Sequence, residues 1–220
     1  MSEDFCNTKI YHIIHIDRLE SILSDGFLFC DAIIHERNNS GTTIGISKIK
    51  ERRLSKKLSS LPDLSVGQCV PFYFCPRSVM LYVIQCQNNP DLSYKNGQDD
   101  IIHLVFDMHT VIDWACKNNY KTCYTTSNAG SNYFQDYSDF SDIHNKIDWK
   151  AVDAEKWSGV GINPEIKENK QAEFLIENKL SIELLESIGV YNLQNYQKVN
   201  KIFNNCSFSP RISIQPSWYY

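Results

Sequence analysis

Four short runs of β-branched and aromatic residues mark this chain: IYHIIHI at 10–16, VPFYF at 70–74, IIHLVFD at 101–107 and QAEFLIE at 171–177. Each has the length of a strand and is bounded by polar or turn residues, so each reads as a buried β-strand. Between them lie segments with helical spacing. Asp17 is placed to cap a helix through Ser24, with Leu19, Ile22 and Leu23 on one face and Gly26 as its stop. Ile46–Lys57 reads as a short basic helix, Met108–Asn118 as a helix, Lys121–Thr125 as a short strand, Ile182–Ser187 as a short helix and Asn192–Phe203 as another. Ser78–Gln87 is apolar enough for either helix or strand, Asp31–Gly41 and Asn88–Asp100 read as loops, and Ile212–Trp218 is a candidate to close the sheet. The expected fold is α+β, a central mixed or antiparallel sheet with flanking helices, in one domain spanning 1–220.

The 220 residues, 42% hydrophobic and 12% aromatic, suffice for one packed core. A chain of this length buries roughly 70% of its unfolded surface, so neither disulfides nor a metal are required for folding. The eight cysteines, Cys6 among them, include no Cys-x-x-Cys pair, and the histidines show no ligand spacing, which argues for reduced thiols and against a metal site. No run is long enough for a signal peptide or a membrane span, so a cytoplasmic protein is expected, and with no coiled-coil pattern or long exposed apolar edge in the sequence a monomer is expected.

The formal net charge of −4 disfavours a nucleic-acid partner when taken alone. Its distribution does not. KIKERRLSKK at 48–57 holds six basic residues in ten, whereas acids concentrate in 91–100 and 136–153, giving an acidic body with one basic face. As a helix, this run places Ile46, Ile49, Arg53 and Lys57 near one stripe and Lys48, Arg52 and Lys56 near another. One stripe would reach inward to a diphosphate, the other outward to a nucleic-acid backbone; a solvated face is the plainer alternative.

Glu173 lies inside an apolar strand, on the face of Leu175 and opposite Ala172, Phe174 and Ile176. A carboxylate there is paired, neutralised or used. His12 shares a face with Ile10 and Ile14 and is either a satisfied core residue or a ligand; His15 falls on the other face, so the two should not share one ligand. The polar, aromatic stretch 127–169 just before Glu173 is long enough to be a functional loop. No glycine-rich dinucleotide or P-loop motif is present.

Taken in order, IYHIIHIDRLESILSDGFL at 10–28, IGISKIKERRL at 44–54, VPFYFCPRSVMLY at 70–82, KQAEFLIE at 170–177 and PSWYY at 216–220 resemble the DarT family of DNA ADP-ribosyltransferase toxins along nearly the whole chain. The resemblance implies an ADP-ribosyltransferase core that uses NAD to modify a thymine or guanine in single-stranded DNA, opposed by an antitoxin with a macrodomain or related hydrolase. It implies Glu173 as the catalytic carboxylate, His12 on the adenosine-side ribose, and Gly26 and Leu28 near the nicotinamide amide. Gly45, Arg52 and Arg53 would belong to an element at about 30–57 that closes over NAD, with Arg53 the favoured catalytic arginine. Tyr73 and Phe74 would pack near the nicotinamide, and Met80 would line the target pocket. Ile14 stands among the NAD contacts where the family usually has threonine, and Ile46 where histidine is common. Lys48, Lys56 and Lys57 would track phosphates, and Tyr133 would stack a flanking base. On this reading Glu173→Ala leaves the fold intact and abolishes transfer. RNA or protein acceptors, or a non-catalytic nucleic-acid-binding domain, are the alternatives.

Overall fold

The computed structural model describes residues 8–37, 41–204, 206 and 208–220. Cys6 and the 38–40 part of the expected loop at Asp31–Gly41 lie outside them. The first run forms β1 (Lys9–His15), followed by a 3-10 turn and α1 (Leu19–Asp25). Gly26 ends α1 in the left-handed conformation at φ 71°, which glycine adopts without a Cβ penalty. The chain continues through β2 (Phe27–Phe29), α2 (Asp31–Arg37), α3 (Ser47–Ser55), β3 (Cys69–Tyr73), α4 (Val79–Cys86), β4 (Ile101–Asp107) and α5 (Met108–Lys117). The second half supplies β5 (Thr122–Thr125), β6 (Asp136–Tyr137), α6 (Ile143–Lys146), α7 (Trp149–Asp153), α8 (Pro164–Asn169), β7 (Glu173–Glu177), β8 (Lys179–Ser181), β9 (Ser187–Val190), α9 (Leu193–Phe203) and β10 (Arg211–Ile214).

Eight strands form one sheet in the order β10-β9-β4-β1-β3-β7-β5-β6, and β2 pairs with β8 beside it. Among the described residues only β10–β9 is parallel, so the sheet is mixed and mainly antiparallel. Along β7 the side chains alternate. Phe174 and Ile176 enter the main core with Phe72, Phe106 and Tyr124, while Leu175 joins Leu58, Val66, Cys69 and Cys123 on the opposite face. Among the described residues no helix is long and apolar enough to cross a membrane, and no three side chains are grouped to hold a metal ion.

Three expectations are corrected. Asp31–Arg37 is helical, with Asp31 in its first turn and Ala32 and Ile33 packed half-buried on the core. Asp17 caps no helix; its carboxylate accepts from the backbone N–H and hydroxyl of Thr42, and α1 starts without a side-chain cap. Ile182–Leu184 is a single 3-10 turn, and Ser187 already opens β9. The undecided Ser78–Gln87 segment is helical, nucleated by the Ser78 hydroxyl accepting from the Leu81 N–H.

Candidate active site

The site begins where two neighbouring strands part. β1 is paired with β4 along its whole length, but its register with β3 is confined to Tyr11 opposite Tyr73. Beyond that point β3 carries Pro71, whose carbonyl faces β1 and accepts from His12 Nδ1 at 2.6 Å. Proline brings no N–H to a ladder, so the strands separate there. A cavity of about 220 Å³ opens in the gap, bordered by β1, β2, the 42–46 segment and α3. Because it opens on the edge of β1, four consecutive residues from His12 to His15 line it. That overturns the expectation that His12 and His15 are kept apart by strand alternation.

α3 supplies the charge. Its inward-facing side chain, and the only one buried among its residues, is Arg53. A buried cation needs a partner. Arg53 Nη1 and Nη2 donate to Glu173 Oε1 and Oε2 at 3.0 and 2.7 Å, a fork-to-fork pair that fixes both planes. Burial opposes the guanidinium charge, and the Glu173 carboxylate more than offsets it, so the Arg53 pKa is driven up. Glu173 also accepts from the Ala129 N–H at 3.0 Å, and its own N–H donates to Thr125 Oγ1. These bonds tie the 126–135 loop to the start of β7.

Arg53 lines the cavity, whereas Glu173 lies directly behind it and is not itself part of the wall. The carboxylate is therefore neither remote from the cleft nor open to it. Removing it would strand a buried guanidinium, so Glu173→Ala is expected to cost stability as well as transfer.

His12 is pushed down to about 4, chiefly by burial, and is neutral near pH 7. With Nδ1–H donating to Pro71, Nε2 is left as an acceptor suited to a hydroxyl. Ile14, Leu28, Gly45, Tyr73 and Met80 also line the cavity. Burial drives the Tyr73 phenol upward, with Glu173 adding to it, so it stays protonated.

Three of the residues expected at NAD, and the expected DNA contacts other than Met80, stand outside the wall. Both backbone groups of Gly26 are engaged, with Leu23 and Ile182. Phe74 is a core residue packed edge-on against Trp149 at 5.5 Å. Arg52 is exposed on the outer side of α3, toward Gly130. Lys48 is paired with Asp91. Lys56 and Lys57 gather with Tyr133, 93% exposed, in a shallow hollow outside the cavity, where Lys56 lies 5.1 Å from the Phe134 ring and donates to the Ser131 carbonyl.

Several wall residues had no signal in the sequence. Arg18 donates to the carbonyls of Thr42 and Gly41 and to Thr43 Oγ1 at 2.7, 2.8 and 3.1 Å. Together with Asp17 it straps the 41–43 segment across the cavity mouth. Gly41, at φ 126°, allows this approach: a Cβ there would sit 2.9 Å from Arg18 Cγ. Asp31 and Lys50, paired at 2.6 Å, complete the rim.

A family model described as ssDNA thymidine ADP-ribosyltransferase, DarT, matches residues 11–220. This chain belongs to the DarT family. It is accordingly a DNA ADP-ribosyltransferase with NAD as its donor. A DarT relative, the DNA ADP-ribosyl transferase of Thermus sp. (strain 2.9), is 34% identical over 215 residues, 97% of this chain and 96% of that protein. The structure of Thermus sp. 2.9 DarT in complex with ADP-ribosylated ssDNA aligns at TM-score 0.85 with 32% identity, covering 97% of each chain. Thermus sp. 2.9 DarT in complex with NAD+ aligns at TM-score 0.80 with 30% identity, over 97% of this chain and 98% of that one.

Proposed function

We propose that this enzyme transfers ADP-ribose from NAD to a ring nitrogen of thymidine in single-stranded DNA, with Arg53 and Glu173 acting as one unit at the parting of β1 and β3. The observation that carries this reading is the buried bidentate pair whose guanidinium forms the cavity wall. NAD occupies the cavity. His12 Nε2 accepts from a ribose hydroxyl, Tyr73 and Leu28 pack near the nicotinamide, and the strap, with Gly45 just beyond it, covers the diphosphate. Arg53 turns its fork toward the diphosphate, which uncovers Glu173.

The bond from the ribose anomeric carbon to nicotinamide breaks, leaving an oxocarbenium-like carbon. A carboxylate at ~4 Å and an effective dielectric of about 20 attracts that charge by about 4 kcal/mol as an upper guide. The thymine nitrogen forms the new bond to that carbon while its proton passes to Glu173, an acid–base contribution of roughly 10²–10⁴ in rate. Met80, on the cavity rim, meets the acceptor base. A single strand suits this chemistry because the acceptor edge is tied up in a duplex, and exposing it there costs a few kcal/mol. Lys56, Lys57 and Tyr133 support the strand beyond the target. In the cell the reading extends to a toxin held in check by an ADP-ribosyl hydrolase antitoxin, as the family resemblance implies.

The test is mass spectrometry of oligonucleotides incubated with NAD, one series lacking thymine and one lacking guanine. Wild-type protein should modify only the thymine-containing strands, and Glu173→Gln, which keeps the shape, should lose at least about 100-fold in rate. Undiminished transfer by that variant removes Glu173 from the reaction. Modification of thymine-free strands moves the acceptor to guanine.

A further inference from the structure

We propose that Arg77 anchors a backbone phosphate of the DNA strand on the side of the target base opposite Lys56, Lys57 and Tyr133, with the Tyr82 ring as the shelf for the attached base. This rests on the DNA reading above and extends it to the path of the strand.

The sheet dictates the arrangement. β3, β7 and β5 are neighbours in that order, with Tyr73 opposite Glu173 and Tyr124 opposite Phe174. At the end of the sheet where β7 begins, β3 and β5 both finish. The 74–78 turn thus leaves on one side of Glu173, and the 126–135 segment on the other. With strands about 4.8 Å apart, the two flanks lie one strand to either side of the carboxylate. The β5 flank bears Tyr133, beside Lys56 and Lys57 from the end of α3. The β3 flank bears Arg77, three residues before the rim residue Met80.

Arg77 differs from the other cations around the cavity. Arg53, Lys48 and Lys50 are each paired with a carboxylate, and Arg18 is used up on the strap. Among the described residues no ion pair joins the Arg77 guanidinium to a carboxylate, and its Nε is buried without a hydrogen-bond partner. It is nevertheless held in place: its central carbon lies 4.3 Å over the ring of Tyr220. That ring is fixed at both ends, since the Tyr220 hydroxyl donates to the Arg77 carbonyl and accepts from Trp157 Nε1, and its backbone N–H donates to Gln98. With Nε buried, the Nη groups of this guanidinium are the ones left to meet a phosphate, and stacking on the Tyr220 ring pre-organises them. In a chain of net charge −4, an uncompensated guanidinium beside the site is a recognition element.

Tyr82 lies one turn along α4 from Ser78. Its ring meets Trp157 and Tyr220 edge-on at 5.0 Å each, yet the residue is 37% exposed. An aromatic ring held by two neighbouring rings and still partly open to solvent can take a stacked base of any identity.

Fluorescence anisotropy and steady-state transfer with Arg77→Gln test this, using single-thymine oligonucleotides that extend from the thymine in one direction or the other. Arg77→Gln should weaken binding about tenfold, as loss of a charge-assisted phosphate contact does. It should also reduce the slope of log affinity against log salt by about 0.7, the value for one phosphate of a single strand. KM for the oligonucleotide should rise, with KM for NAD unchanged. The loss should appear only with strands extended in one of the two directions, and Arg77→Lys should recover part of it. An unchanged salt slope, or equal losses with both sets of strands, would overturn the proposal and leave Arg77 as a support for Tyr220. If wild-type protein neither binds nor modifies single-stranded DNA, the underlying DNA reading fails first.

Discussion

At the scale of single residues, the pairing of Arg53 with Glu173 decides how variants should behave. Two ions are buried together, and each is tolerable only because of the other. Truncating one leaves an isolated charge in a site that water barely reaches. Glu173→Ala should therefore lower unfolding stability by about 3–5 kcal/mol as well as abolishing transfer. Urea unfolding measures the first effect. The double variant Arg53→Met with Glu173→Leu should regain most of that stability and none of the activity, because an apolar pair of similar volume needs no partner. If Glu173→Ala proves as stable as the wild type, the carboxylate is not what balances Arg53. Loss of activity in Glu173→Ala alone is thus ambiguous, which is why the near-isosteric glutamine is the sharper probe of chemistry.

At the scale of elements, the strap from Gly41 to Thr43 is secured by a two-residue clasp, Asp17 and Arg18, at the end of β1. Arg18→Ala removes three hydrogen bonds to it. With about 0.5–1.5 kcal/mol net for each bond, partly regained from water, KM for NAD should rise about tenfold or more while kcat changes little. Initial-rate kinetics at saturating oligonucleotide would read this; a fall in kcat with KM unchanged would place Arg18 in the chemistry instead. The clasp also illustrates what was legible in the sequence. The runs at 101–107 and 171–177 announced strands because their side chains are buried on both faces, those at 10–16 and 70–74 because one face is buried and the other half-buried, and Glu173 drew attention because a charge inside such a run needs a reason. Arg18 gave no such signal, since its partners lie 23 to 25 residues away and are mostly backbone carbonyls. β2 and β8 went unread because three-residue strands carry too little pattern, and the short helix Asp31–Arg37 was masked by its polar composition. Arg53 was singled out from Arg52 only through the resemblance; burial on α3 now distinguishes them physically.

At the scale of the whole molecule, Trp218 and Tyr219 pack on the sheet where β1 and β4 run side by side. Tyr219 Oη lies 3.2 Å from His103 Nδ1 and donates to the Ile101 carbonyl, while His103 Nε2 contacts the Pro76 carbonyl at 2.9 Å. Burial pushes His103 from its ordinary 6.5 down to about 4, so the folded protein keeps it neutral. As pH falls through 6.5, the unfolded chain takes up a proton that the folded one refuses, and stability drops until about pH 4. Above 6.5 both forms are neutral and this histidine contributes no pH dependence. At 1.36 kcal/mol per unit, the span amounts to ~3 kcal/mol for His103 alone, with His12 acting in the same direction. Urea midpoints measured from pH 8 to pH 4 should show this decline, and His103→Gln should flatten part of it. A wild-type curve level across that range would show that neither imidazole is kept neutral by the fold.

Pro71 has a kinetic consequence. Where β1 and β3 diverge, the residue that would otherwise need a partner carries no amide hydrogen, so the seam has nothing to zip shut when the cavity changes occupant. On the proposed reading, exchange of spent nicotinamide for fresh dinucleotide requires no rupture of the sheet: the clasped 41–43 segment is what has to yield, while β3 and β5 keep their pairing with β7 on either side of Glu173.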